Sequence, residues 1–153
     1  MTKPPCVLVV DDQIGDLRWL LDLIRNRGYG VVLATNEKTA RERFEAVKGG
    51  VENYTLAIVD VMVAVKDLMD LIKIDEKFFE DSKDTGIRLC RYAREELGIS
   101  ADRLPIACLT VRDDDAVKSE MARLGIPLFN RAPYSPSESI RNLLDEKLRP
   151  IQA

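Results

Sequence analysis

Short apolar runs alternate five times with segments of helical period along this chain, and few folds accept that alternation. Cys6-Val7-Leu8-Val9-Val10 is the first run, and Gly30 to Ala34 the second. Leu56-Ala57-Ile58-Val59 follows, then Ile106 to Leu109 opened by Pro105, then Ile126 to Asn130. A run with no polar alternation reads as a strand buried on both faces, which is how parallel sheets are built. Between the runs the period changes to 3.6. Ile14, Leu17, Leu20, Leu21 and Ile24 share a helix face that Gly28 ends. Asn36 is placed to cap a second helix carrying Ala40, Phe44 and Val47. Thr85 is placed to cap a third with Ile87, Cys90, Ala93 and Leu97. Asp113 or Asp114 caps a fourth with Val117, Met121 and Leu124, which Gly125 ends. Ser135-Pro136-Ser137-Glu138 is a capping box for a last helix with Ile140, Leu143, Leu144 and Leu148. Five βα units predict an α/β fold: one parallel sheet with helices on both faces and right-handed crossovers.

Length and composition narrow the chemistry. The 153 residues suit a single domain, 1–153. No apolar stretch is long enough for a membrane span, and the start lacks the apolar core of a signal peptide. Three cysteines at wide spacings suit a reduced, cytoplasmic protein, and all three fall on apolar strands or stripes, so they read as packing. A net charge of −3 offers no general attraction to nucleic acid. There is no histidine, which excludes a His-based triad, a His–metal site and a phosphohistidine on this chain. Gly28-Tyr29-Gly30 ends a helix, whereas a nucleotide-binding glycine motif opens one.

What remains lies at the strand ends. The first run ends in Asp11-Asp12, the third in Asp60 and the fourth in Thr110. In open α/β sheets, ligands bind beyond these carboxyl ends, at the point where strand order reverses. With the order 2-1-3-4-5, the first and third strands are neighbours about 4.8 Å apart, and their acids crowd one another. Carboxylates that close share protons or bind a cation. Oxygen ligands without His or Cys select a hard ion, Mg²⁺. A carboxylate beside Mg²⁺ is a competent nucleophile toward a phosphoryl group, and a hydroxyl such as that of Thr110 binds one of its oxygens. A lone strand-end Asp often does no more than cap a helix; a pair facing a third acid on the next strand points to a site.

These segments, Val7-Leu8-Val9-Val10-Asp11-Asp12, Ala57-Ile58-Val59-Asp60-Val61-Met62 and Cys108-Leu109-Thr110, resemble the receiver domain of two-component response regulators. The resemblance covers nearly the whole chain. It implies a flavodoxin-like five-stranded sheet of order 2-1-3-4-5 and phosphorylation on Asp60. It implies Mg²⁺ held by Asp12 directly, by Asp11 through water, by Asp60 and by the backbone carbonyl of Met62. Thr110 would bind the phosphoryl group and shift on activation, with Phe129 as the switch aromatic. The donor would be a phosphohistidine on a histidine kinase or phosphotransfer protein. Such a domain is a signalling module rather than an enzyme, with at most self-catalysed phosphotransfer and dephosphorylation. Its output would run through the fourth helix, fifth strand and fifth helix to a protein target, with a homodimer left open. Only Pro150 to Ala153 follow the last helix, so a DNA-binding segment is not expected.

Two departures stand out. The family carries a Lys-Pro pair after the fifth strand, and here the prolines align Ala132 with that lysine. Arg131 and Arg112 are the candidate substitutes, although the planar fork of arginine does not replace a lysine point charge one for one. Val111 is bulkier than the residue usual after Thr110, and either narrows access to Asp60 or simply packs. The second departure is residues 61–84, where a βα loop would normally take about 2–6 residues. Val65, Leu68, Met69, Ile72 and Phe79 share one helical face, and Leu71, Ile74 and Phe78 an adjoining stripe. An extra amphipathic helix between the third strand and third helix is expected, packing on the domain or serving as a lid or docking surface. Residues 66–84 hold four lysines against seven acids, which accounts for the net charge of the whole chain.

Two other readings compete. A receiver-like binding module that works without phosphate is favoured by Ala132 and the insertion. A Mg²⁺-dependent aspartyl phosphatase of the haloacid dehalogenase type needs Asp-x-Asp after the first strand, whereas the acids here are adjacent.

Overall fold

The structure is a computed structural model that describes residues 5–12, 14–61, 84–110, 115–130 and 138–149. Five parallel strands form one sheet: β1 (Cys6–Val10), β2 (Gly30–Ala34), β3 (Leu56–Asp60), β4 (Ile106–Thr110) and β5 (Leu128–Asn130). Their order is β2-β1-β3-β4-β5, the order that the resemblance implies. The helices are α1 (Arg18–Asn26), α2 (Glu37–Lys48), α3 (Thr85–Arg91), α4 (Asp115–Leu124) and α5 (Glu138–Lys147).

The period of two along each strand divides the core into two layers. Leu8, Val10, Ala57, Val59 and Cys108 pack with Phe44 of α2, Leu89 of α3 and Met121 of α4. Val7, Val9, Leu56, Ile58 and Leu109 pack with Leu20 and Ile24 of α1 and Leu144 of α5. β1, β3 and β4 are buried along almost their whole length because both their faces are covered. β2 lies at an edge, and its Leu33 is exposed.

Several local expectations change. A short 3₁₀ turn, Ile14–Leu17, precedes α1, so the regular helix begins later than the apolar spacing suggests. β5 begins at Leu128, after the buried Ile126 and the exposed Pro127, whose missing N–H cannot join a ladder. Thr85 is the first residue of α3 rather than its cap; Asp84 precedes it and makes no side-chain capping bond. The third helix is also not one regular run, because Tyr92–Glu96 form a π-turn in which Leu97 N–H donates to the Tyr92 carbonyl at 2.8 Å. Asn36 caps α2 as expected, its side chain accepting from Thr39 N–H at 2.9 Å. Gly28 and Gly125 adopt φ of 91° and 69° after α1 and α4, conformations that glycine takes without strain.

The inserted helix expected within 61–84 lies, apart from Val61 and Asp84, outside the described residues. So do the capping positions Asp113 and Asp114, the capping box at 135–137, and Val111. No helix among the described residues is long and apolar enough to cross a membrane.

Candidate functional site

Asp60 is the last residue of β3 and is buried, 6% exposed. Its neighbours follow from the register. Val10 pairs with Val59, so Asp11 follows on β1 as Asp60 does on β3. Asp60 itself pairs with Leu109, so Thr110 is the next residue along β4. Asp11 is 1% exposed and Thr110 4%. Backbone hydrogen bonds extend the sheet just past these residues. Asp11 N–H donates to the Ala34 carbonyl at 3.0 Å, and Val61 N–H to the Leu109 carbonyl at 3.0 Å. Asp12 is exposed at the rim of the same end. The structure therefore gathers Asp11, Asp12, Asp60 and Thr110 at the carboxyl ends of β1, β3 and β4. Phe129, in the middle of β5 and paired with Leu109, is half-buried against the layer of α1 and α5. Arg112, Arg131, Ala132 and the Met62 carbonyl lie outside the described residues.

The first turn of α3 closes over this end. Gly86 N–H donates to the Val61 carbonyl at 2.8 Å. A Cβ on Gly86 would lie 2.6 Å from Val61 Cα and overlap the Asp60 carbonyl oxygen outright. Thr85 is wholly buried, and its hydroxyl accepts from Arg88 Nη2 at 3.1 Å. Below the site, a hydrogen bond with Cys90 holds the Cys108 thiol well above its usual pKa; burial and the charge of Asp60 add to the shift. The shift disfavours the Cys108 thiolate, and the side chain is wholly buried. Gly86 and Arg88 carry no site signal in the sequence. Thr-Gly before an apolar stripe reads as a helix start, and only the crossover of α3 onto β3 shows the contact.

The donor set fits a hard divalent cation. Two buried carboxylates stand on adjacent strand ends, and no histidine is present anywhere in the chain. Among the described residues, no three His, Cys, Asp or Glu side chains group as an all-protein metal cage. Mg²⁺ does not need one, since it keeps several waters and takes one or two carboxylates. A cavity of about 590 Å³, bordered by Cys6, Val32, Arg43 and Tyr54, lies at the other end of the sheet and takes no part in this cluster.

No family model matches the chain, and no curated protein does. Solved structures do match. The putative response regulator of Chloroflexus aurantiacus aligns with a TM-score of 0.62 and 24% identity, over 96% of this chain and 100% of that one. The BeF3-activated N-terminal receiver domain of Klebsiella pneumoniae RstA gives 0.63 and 20%, over 94% and 98%. A Burkholderia pseudomallei response regulator, solved with a phosphorylated aspartic acid, a calcium ion and citrate, gives 0.60 and 20%. That match covers 95% of this chain and 66% of the longer protein. With the strand order and register above, these likenesses lead to one structural conclusion: the chain has the flavodoxin-like fold of CheY-like response regulator receiver domains.

Proposed function

We propose that this chain is a receiver domain that accepts a phosphoryl group on Asp60 from a phosphohistidine on a histidine kinase or phosphotransfer protein. One observation carries the reading: the register sets Asp60 between Asp11 on β1 and Thr110 on β4, all three buried at the strand ends. An Asp60 carboxylate oxygen attacks phosphorus as the phosphorus–nitrogen bond to the donor breaks, and the electron pair leaves on the imidazole. The Thr110 hydroxyl donates a hydrogen bond to a phosphoryl oxygen. Asp12 and Asp60 would hold Mg²⁺ directly and Asp11 through water, and the ion would offset charge on the phosphoryl oxygens. Charge and acceptor oxygens gained at Asp60 then bias Thr110 and Phe129, and through them the α4–β5–α5 surface. Residues 61–84 are proposed as an insertion within one domain, 1–153, that serves as a lid or partner surface. The setting is the cytoplasm, and the role is signalling rather than turnover of a substrate.

The test is intact mass after incubation with Mg²⁺ and acetyl phosphate, or with a phosphorylated kinase. A single phosphoryl adduct absent from Asp60→Asn supports the reading, and no adduct from any donor overturns it. Ala132, at the place of the family's lysine, favours a second reading, a binding module that works without phosphate. Partner binding unchanged by Asp60→Asn would select it.

A further inference from the structure

Arg88 lies one turn into α3, and its guanidinium joins two helices. Nε donates to Glu37 Oε2 at 3.1 Å, and Nη2 to Thr85 Oγ1 at 3.1 Å. Glu37 opens α2, directly after the capping residue Asn36. Thr85 opens α3 and is wholly buried. One cation thus ties together the first turns of two helices, and both turns enclose the carboxyl end of the sheet. On the α2 side, the segment from Ala34 to Glu37 begins at the carbonyl that receives Asp11 N–H. On the α3 side, Gly86, bonded to Thr85, touches the backbone of Asp60 and donates to the Val61 carbonyl.

We propose that Arg88 is a positioning residue: through Thr85 and Gly86 it holds the first turn of α3 against the backbone of Asp60 and Val61, and so sets the phosphoacceptor relative to Asp11. The role rests on Asp60 being the phosphoacceptor. Arginine suits it because a planar fork reaches two acceptors on two elements at once, whereas the ammonium of lysine is a single point charge. The Glu37–Arg88 pair is only partly screened, with side chains 18% and 36% exposed, so it holds its geometry better than a pair at the open surface. A brace acting on α2 and α3 alone would leave the Asp60 backbone untouched, and this difference is measurable.

The experiment follows amide hydrogen exchange in the full, unphosphorylated chain, with Arg88→Gln, Arg88→Lys and, as control, Glu120→Gln. The control breaks an ion pair to Arg91 at the far end of the same helix. In Arg88→Gln, the Gly86 amide is expected to exchange about tenfold faster, the loss of one charge-assisted bond, with the β1 amides unchanged. Arg88→Lys should fall between, and Glu120→Gln should match the wild type at Gly86. The initial rate of adduct formation from acetyl phosphate at saturating Mg²⁺ should fall several-fold in Arg88→Gln. Unchanged protection of Gly86 overturns the proposal, as does uniform acceleration that includes β1. Faster exchange at Gly86 with an unchanged adduct rate overturns it too. A wild type that forms no adduct sinks the phosphoacceptor reading instead, and the exchange arm still decides whether Arg88 pins this turn.

Discussion

Gly86 rests on the carbonyl of Asp60 so closely that no side chain fits between α3 and the end of β3. The absence of one Cβ thus lets a helix N-terminus seat directly on the candidate phosphoacceptor's backbone. Ordinarily Gly→Ala in a helix gains about 0.5–1 kcal/mol. At this position the sign reverses, because the added methyl overlaps backbone that cannot rotate away. Gly86→Ala should destabilise the protein by about 2 kcal/mol, the scale of core overpacking, read from the midpoint of urea unfolding. A variant as stable as the wild type would show that α3 can lift off Asp60 freely.

Asp11 and Asp60 are buried acids on adjacent strand ends. Removing one charge relieves repulsion, so Asp60→Asn should raise Tm in Mg²⁺-free buffer, by about 2–4 °C for each kcal/mol relieved. Mg²⁺ at a hundredfold excess over its dissociation constant should stabilise the wild type by about 2.7 kcal/mol and Asp11→Asn by much less. Equal Mg²⁺ responses in the two proteins would remove Asp11 from the cation site.

Thr110 ends β4 one register step past the partner of Asp60. Thr110→Ala should therefore keep the phosphoryl adduct but form it at least about tenfold more slowly, the cost of losing a preorganised donor. Thr110→Ser, which keeps the hydroxyl, should restore most of the rate. An alanine variant with the wild-type rate would leave Thr110 as a packing residue.

Glu120 on α4 meets Arg91 of α3 at 2.7 Å and Arg123 at 2.5 Å, and Arg123 reaches Glu95 in the π-turn at 2.6 Å. Hydrogen bonds from Arg123 and Arg91 pull the Glu120 carboxyl down to about 2 from its ordinary 4.5. A carboxyl whose pKa is depressed by folding stabilises the folded state above its unfolded pKa and loses that contribution as pH falls through the folded one. The stability difference between wild type and Glu120→Gln should therefore be full above pH 4.5 and gone near pH 2. It should also shrink in high salt, since the cluster is at the surface. A difference constant with pH would mean that the pairing does not form in solution.

Much of this protein is local in origin and so readable along the chain. Unbroken apolar runs such as Val7 to Val10 specify strands buried on both faces, and Asn36 specifies the start of α2 through its own side chain. The acids closing β1 and β3 were visible as a pair, because βα alternation places every strand end on one edge of a parallel sheet. Tertiary structure decided the rest. The register that puts Asp60 between Asp11 and Thr110 depends on which strands pair. Thr85 reads as a cap in sequence, but it lies inside the helix and is wholly buried. Gly86 and Arg88 show nothing in sequence, where one is a poor helix former and the other a solvated charge. Their roles come from the approach of α3 to β3 and to α2, between residues far apart in the chain. Local propensity carries no information about that distance; only the packed sheet and helices set it.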